Sequence, residues 1–513
     1  MRKKKITVPL LLLILIFSSC SKPVGGGPGF PSYAQYIKKV NFTGSTATVI
    51  FKNLNANEIF LIKVNLAGLN ASAGDTGAVL SPYSDSPLNI KSTAKKDELP
   101  PIGHPLAEKL SANPPFADRE MSIRPAADFI PPVKGDTRKF WVEAIFMSGS
   151  FEEKQATLKA SGNYGNIWVL DSNKDEVTDI QANAMAEKFD LIYPAATNIL
   201  GYEYGGGPGG NGGKDGDPKI QILIRDILDA DGNVAAGGYF WPIDFYSQSL
   251  FYYSNITEMF YIDTSQVIKY PDYAYSILTH ELQHMINFNE KFLKRLVYPN
   301  TWYNEMLSMM TEDLITSIIG ISYTSNFHLI QQRVPLFLET YNKVGVTEWG
   351  VSDNIGDSYA KGYAFGAYLL RNFGGAELLK NILANDSGNI QSVTAALNKF
   401  QSGLTFEKAL SRYGETMIYS GDARPGGAYS FDKTVTKKIG NYSYTVYGFD
   451  VWNISRRSQD ETGPLVFGLT PIAMRPYSLL VQSAENWRNI SGDISVVLEK
   501  PNNTDIVFYL MVK

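Results

Sequence analysis

The sequence predicts an α+β chain in which a mixed sheet is followed by a helical subdomain, with a β-rich module on either side. Three observations carry this. Short β-branched and aromatic runs dominate before residue 170 and after residue 442. The hydrophobic period becomes helical between about residue 175 and residue 415. At 513 residues the chain is too long for one ordinary core. Composition narrows the class further. Hydrophobic residues make up 44% and charged residues 19%, the balance of a globular chain. The net charge is −4, with no excess of Lys and Arg to bind a nucleic acid. A single cysteine excludes a disulfide-stapled scaffold, and four histidines are few enough that their positions carry information.

Residues 1–19 read as a lipoprotein signal peptide. Arg2, Lys3, Lys4 and Lys5 form a positive n-region, and Ile6 to Phe17 form an apolar stretch of signal-peptide length, shorter than a membrane span. The segment ends Phe17-Ser18-Ser19-Cys20. Small residues before the single cysteine resemble a bacterial lipobox, with Phe17 where an aliphatic residue is usual. Acylation of Cys20 would anchor the chain to a membrane, and the Gly- and Pro-rich residues 20–34 would serve as a flexible tether. That address is the bacterial cell envelope, outside the cytoplasm.

Residues 35–164 form the first β-rich module, with strands at 47–51, 59–64 and 139–146 and an irregular Pro- and Ser-rich insertion over 82–137. Residues 165–420 form the central domain. It opens with a strand at 166–170 and a helix over about 175–193, where Val177, Ile180, Ala184 and Phe189 recur near helical spacing. Strands follow at 219–225, 238–243 and 259–263. A helix runs over 272–287, with further helices to about residue 415. Residues 421–513 form the C-terminal β-rich module, with runs at 442–447, 478–482 and 506–512.

The chemistry is carried by His280-Glu281-Leu282-Gln283-His284. Residues i and i+4 share a helix face, so both imidazoles can hold one metal ion, and Glu281 stands beside the first of them, where it can take a proton from a water that the metal activates. A catalytic zinc needs a third protein ligand. Glu305, with 20 residues between it and His284, is a candidate at the start of the next helix; its alternative role is a carboxylate on that helix's dipole. Glu312 lies seven residues on, on the same face, where it could accept a hydrogen bond from a ligand histidine.

These segments resemble the gluzincin metallopeptidases. Trp302-Tyr303-Asn304-Glu305-Met306-Leu307-Ser308 is similar to that group's W-L-N-E-G-x-A segment, departing at Tyr303 and Met306, and Tyr359-Ala360-Lys361-Gly362 is similar to its Y-E-K-G segment. The run from His280 to Phe288 resembles the H-E-x-Q-H-M-I-N-F of the hyicolysin-like family, peptidase family M30. The resemblance covers about residues 165–415. It implies a gluzincin-like core and one Zn²⁺ held by His280, His284 and Glu305. It further implies Glu281 as general base, Glu312 behind the ligands, and Tyr359 as oxyanion donor with Tyr363 as its rival. The expected activity is a membrane-anchored zinc endopeptidase acting on proteins or peptides. A surface adhesin that keeps the zinc core only as scaffold is the alternative.

Other signals carry less. The Gly-rich stretch 205–217 lacks the first glycine and the Ser/Thr of a phosphate loop and reads as a flexible loop. Asp229 to Asn233 resembles a calcium loop, but position 12 is Phe240, which leaves a looser structural Ca²⁺ site or a plain turn. His104 lies in the insertion, and His328 precedes an apolar helical run as a capping or core residue. Met306, Met309 and Met310 read as core.

Overall fold

A computed structural model describes residues 33–68, 129–173, 175–421, 424–470, 472–499 and 505–513. The signal segment, Cys20, most of the tether, His104 and most of the insertion lie outside the described residues. Among the described residues no helix is long and apolar enough to cross a membrane.

The centre is a six-stranded mixed sheet built from β4 (Thr137–Glu143), β5 (Phe151–Ser161), β6 (Gly165–Leu170), β7 (Ile220–Arg225), β8 (Gly238–Phe240) and β9 (Met259–Asp263), in the order β4-β5-β6-β7-β9-β8. β6, β7 and β9 are parallel, and the outer pairs are antiparallel. Every residue of these three parallel strands is buried, as expected of strands covered on both faces. Ile167, Ile222 and Phe260 point to the helices, while Trp168, Leu223 and Tyr261 point to a second cluster with Phe140 and Trp241. β8 ends at Phe240, short of the expected 243, because Pro242 has no N–H and opens a 3₁₀ turn over Pro242–Phe245.

Helix α1 (Asp179–Leu200) starts at a Thr178–Gln181 capping box, four residues later than the period alone suggests. Helix α2 (Pro271–Asn287) has Pro271 in its first turn and runs into a π-helical turn, Phe288–Leu293. Helix α3 (Thr301–Ile319) ends at Gly320, whose φ of 81° a side chain would resist. α4 (Leu329–Thr340) and α5 (Ile355–Asn372) complete the helices around the site. Met306, Met309 and Met310 are buried as expected, and Met310 fills the space where a Cβ on Gly366 of α5 would stand, 2.7 Å away.

The terminal segments meet. Five strands, β1 (Ile37–Lys39), β2 (Thr46–Asn57), β3 (Ile59–Asn65), β12 (Leu479–Gln482) and β14 (Ile506–Val512), together with β13 (Ile490–Glu499), form one β layer. Its sheets are the antiparallel β1-β14-β3-β12 and the pair β13-β2. One face of β3 and β14 packs against β2 and β13 through Leu61, Leu510, Phe51 and Val496. The other, with Phe60, Ile62, Val64 and Met511, belongs to the same core as the helices. A small hairpin, β10 (Val435–Ile439) with β11 (Tyr442–Val446), covers the far ends of α1 and α3. The architecture is α+β and gluzincin-like.

Candidate metal centre

α2 and α3 pack side by side, and this brings the two halves of the site together. His280 and His284 leave α2 on one face, and Glu305 meets them from the first turns of α3. One ligand atom from each lies within 4.8 Å of the others. Glu305 Oε2 is 3.1 Å from His280 Nε2, and Glu305 Oε1 is 3.4 Å from His284 Nε2. His280 and Glu305 are fully buried, and His284 nearly so.

The outer nitrogens decide the tautomers. His280 Nδ1 lies 2.7 Å from Glu312 Oε1. A carboxylate only accepts, so Nδ1 donates. The second Glu312 oxygen accepts from Ser276 Oγ. His284 Nδ1 lies 3.2 Å from Ser308 Oγ, and Ser308 in turn donates to Gln283 Oε1. Ser308 has thus given its hydrogen away and can only accept from His284. In neutral form both rings therefore present a bare Nε2 toward the Glu305 carboxylate. A lone pair facing a carboxylate requires a cation between them, either protons on the rings or a metal. The proton alternative is favoured by the local electrostatics. Burial pushes His280 down, but Glu305 and Glu312 outweigh it and raise its pKa to about 10. Burial raises Glu305, but the two imidazoles hold it well below the usual carboxylate range. Two imidazole nitrogens and one carboxylate, all buried, fit Zn²⁺ better than a hard cation such as Ca²⁺ or Mg²⁺.

Glu281 is buried beside this cluster, and among the described residues neither of its oxygens makes a well-formed hydrogen bond. Burial lifts its pKa to about 7, against the pull of His280 and His284 and the nearby Phe240 amide of β8. Tyr359 on α5 is nearly buried, its ring 4.8 Å edge-on from Trp349, with the Arg333 guanidinium 5.0 Å over its face. Tyr363 lies one turn on. Its hydroxyl is 3.3 Å from Asp313 Oδ2, which also pairs with Arg371 at 2.7 Å. The rival tyrosine is thus held in a buried ion-pair network.

Among the described residues, His280, His284 and Glu305 are the only group of three or more His, Cys, Asp or Glu that could hold a metal. Residues 151–430 match the Peptidase M30 family, more than half of the chain. This chain belongs to the peptidase M30 family. It is 28% identical over 272 residues to the neutral metalloprotease ShpI of Staphylococcus hyicus, a match covering 48% of this chain and 55% of that protein. The M30 chain thus spans about half the length of the curated relative it matches. It is also similar, at a TM-score of 0.31 and 14% identity, to leukotriene A4 hydrolase from Saccharomyces cerevisiae, covering 80% of this chain and 71% of that one.

The remaining sequence candidates separate clearly. His328 caps α4: its Nδ1 accepts from the Ile330 amide at 3.2 Å, and burial lowers its pKa. The Asp229 carboxylate accepts from the amides of Asp231 and Asn233 at 2.9 and 2.8 Å, so this loop closes as an Asx turn. Ser308, Gln283 and Ser276 were not singled out from sequence. Glu305, Ser308 and Glu312 stand at i, i+3 and i+7, so the spacing that pointed to Glu312 also contained Ser308.

Proposed function

We propose that this chain is a zinc-dependent endopeptidase of the bacterial cell envelope, lipid-anchored through Cys20, with proteins or peptides as substrates. The observation that carries the reading is one juxtaposition. A buried His280, His284 and Glu305 cluster stands beside a carboxylate, Glu281, whose oxygens make no well-formed hydrogen bond among the described residues, next to the edge strand β8. Family membership and the likeness to a neutral metalloprotease support it.

His280, His284 and Glu305 would hold the zinc ion, which when bound acidifies a water molecule and polarises a carbonyl. Glu281 is the general base. It receives the proton of the attacking water and hands it to the departing amine. Burial keeps its pKa near the working range for that exchange. The Tyr359 hydroxyl donates to the carbonyl oxygen as charge develops there. Glu312 and Ser308 orient the two imidazoles from behind. β8 is the last strand of the sheet among the described residues, and its outer edge can pair with an extended peptide and lay it across these groups.

The deciding experiment measures zinc content and casein or peptide hydrolysis for the parent and for Glu281→Gln. One zinc per chain in both, with hydrolysis in the parent alone, is the expected outcome. Equal hydrolysis in Glu281→Gln would overturn the role of that residue. Zinc in both without hydrolysis in either would favour a binding protein built on a zinc scaffold. Cys20→Ala is expected to move the chain from the membrane to the soluble fraction, and no change would remove the anchor from the reading.

A further inference from the structure

Arg333 on α4 is only 8% exposed, yet its Nε and Nη2 have no acceptor among the described residues. Another buried guanidinium, Arg371, shows what a structural arginine looks like here: it pairs with Asp313 and bonds the Tyr447 carbonyl through two nitrogens. Arg333 instead lies over the ring of Tyr359 and reaches Tyr273. Tyr273 precedes Glu281 by eight residues, a little over two turns along α2. A guanidinium stays charged at any working pH, and leaving its donors unmet in a buried site is costly. Two donors of this guanidinium, Nε and Nη2, are therefore unmet beside the proposed catalytic groups.

The sheet edge tells which part of a substrate reaches it. A Cβ on Gly237 would lie 2.8 Å from Ile277 and 3.5 Å from Tyr273, so the start of β8 crosses the first half of α2. Phe240, at the other end, packs on Phe288 beyond the last turn of α2. β8 thus runs in the same sense as α2. A peptide paired antiparallel to β8 runs the opposite way. Its acyl half lies toward Phe240 and Phe288, and its leaving-amine half lies toward Gly237, Tyr273 and Arg333. A planar fork of N–H donors matches a carboxylate, which meets both its hydrogen bonds and its charge, whereas a neutral carbonyl meets only the first.

We propose that Arg333 is a specificity-determining residue on the leaving-amine side of the cleft, selecting peptides that carry a carboxylate within about three residues after the scissile bond. The carboxylate can come from two sources, a free C-terminus close to the cut or an Asp or Glu side chain. The proposal rests on the peptidase reading above for the direction of the substrate.

The test uses zinc-loaded full chain in detergent and four matched quenched-fluorescence peptides. They are a short free acid, its C-terminal amide, an amide with Glu as the second residue after the cut, and its Gln counterpart. The parent is expected to favour one or both carboxylate peptides over their neutral partners by roughly 10- to 100-fold in kcat/KM, mainly through KM. In Arg333→Met that ratio should fall to near one, and Arg333→Lys should keep part of it. Preference for the free acid alone assigns the C-terminus as source, and preference for the Glu peptide alone assigns the side chain. A ratio near one in the parent, or an unchanged ratio in Arg333→Met, overturns the proposal. If Arg333→Met melts before the assay temperature, Arg333→Lys and Arg333→Gln decide between the same outcomes. Binding of fluorescein-labelled versions of the four peptides to Glu281→Gln, with and without Arg333→Met, gives a readout that needs no turnover. Should the parent cleave nothing, a carboxylate preference in binding that Arg333→Met removes would uphold the site and sink only the peptidase reading. Absence of that preference would sink the site.

Discussion

His284 depends on a hydroxyl supplied by the neighbouring helix α3. Ser308 fixes which nitrogen of His284 is bare, because its own hydrogen is committed to Gln283. Ser308→Ala should weaken zinc binding by about 10-fold, read by chelator competition, with little change in melting temperature. The two tyrosines of α5 separate in the same manner. Tyr359→Phe should lower kcat by about 10²- to 10³-fold with zinc retained. Tyr363→Phe removes a hydrogen bond to Asp313 and should instead destabilise the fold by about 1 kcal/mol, seen in denaturant unfolding. A large kcat loss in Tyr363→Phe, with Tyr359→Phe unaffected, would exchange their roles. At this scale the sequence is legible where one helix does all the placing. His280, Glu281 and His284 follow from a spacing within α2. Arg333 does not, because its significance comes from two unmet donors, and that depends on the packing of α4 against α5.

Elements are legible to the extent that one local rule governs them. β9 falls on the expected residues, and α2 starts one residue early, because a buried apolar run and a proline-initiated helix are both strong local signals. β5 was missed: its first half, Glu152 to Gln155, faces water and shows no apolar alternation. β13 was missed as well, since Gly492 at φ 83° breaks its register. The short turn after β8 carries a prediction of its own. Asp244 is fully buried, accepting from Asn255 through both its backbone and side-chain nitrogens and from the Tyr261 hydroxyl. Burial lifts its pKa to about 7 from an ordinary 3.8. The folded chain therefore holds this proton more tightly than the unfolded chain. The resulting stabilisation is complete below pH 3.8 and is lost as pH rises to about 7, with an upper size of a few kcal/mol. Asp244→Asn should flatten that part of the stability–pH curve, measured by urea unfolding between pH 4 and pH 8. An unchanged slope would mean that the carboxylate stays ionised in the fold.

For the whole molecule, local pattern gives the strands but not their partners. The N-terminal and C-terminal β segments each read as strands, yet β3 lies between β14 and β12, a pairing across more than 400 residues that no local period encodes. The layer they form is continuous with the core beneath the helices through Phe60, Ile62, Val64 and Met511. A Cβ on Gly414 would come within 2.3 Å of Ile62, so the layer and the helical region touch without a gap. The family-matched residues 151–430 cut out alone should therefore fail to unfold cooperatively, whereas the full chain should melt with all of this core in one calorimetric transition. A sharp native-like transition in the fragment would show that the terminal layer is dispensable.

The pairing of β1 with β14 sets Ile37 opposite Met511. Order in space and order along the chain are thus separable here. A variant in which residue 513 is linked to residue 37 by a few glycines, and the chain is opened between β3 and β4, would run from β4 through β14 and then into β1, β2 and β3. The layer that is now assembled from the two extremities of the polypeptide would then be made of consecutive residues. Its contact order would drop, and with it the loop-closure cost that folding must meet before β3 finds its place. Such a permutant should reach the same native structure by a faster route.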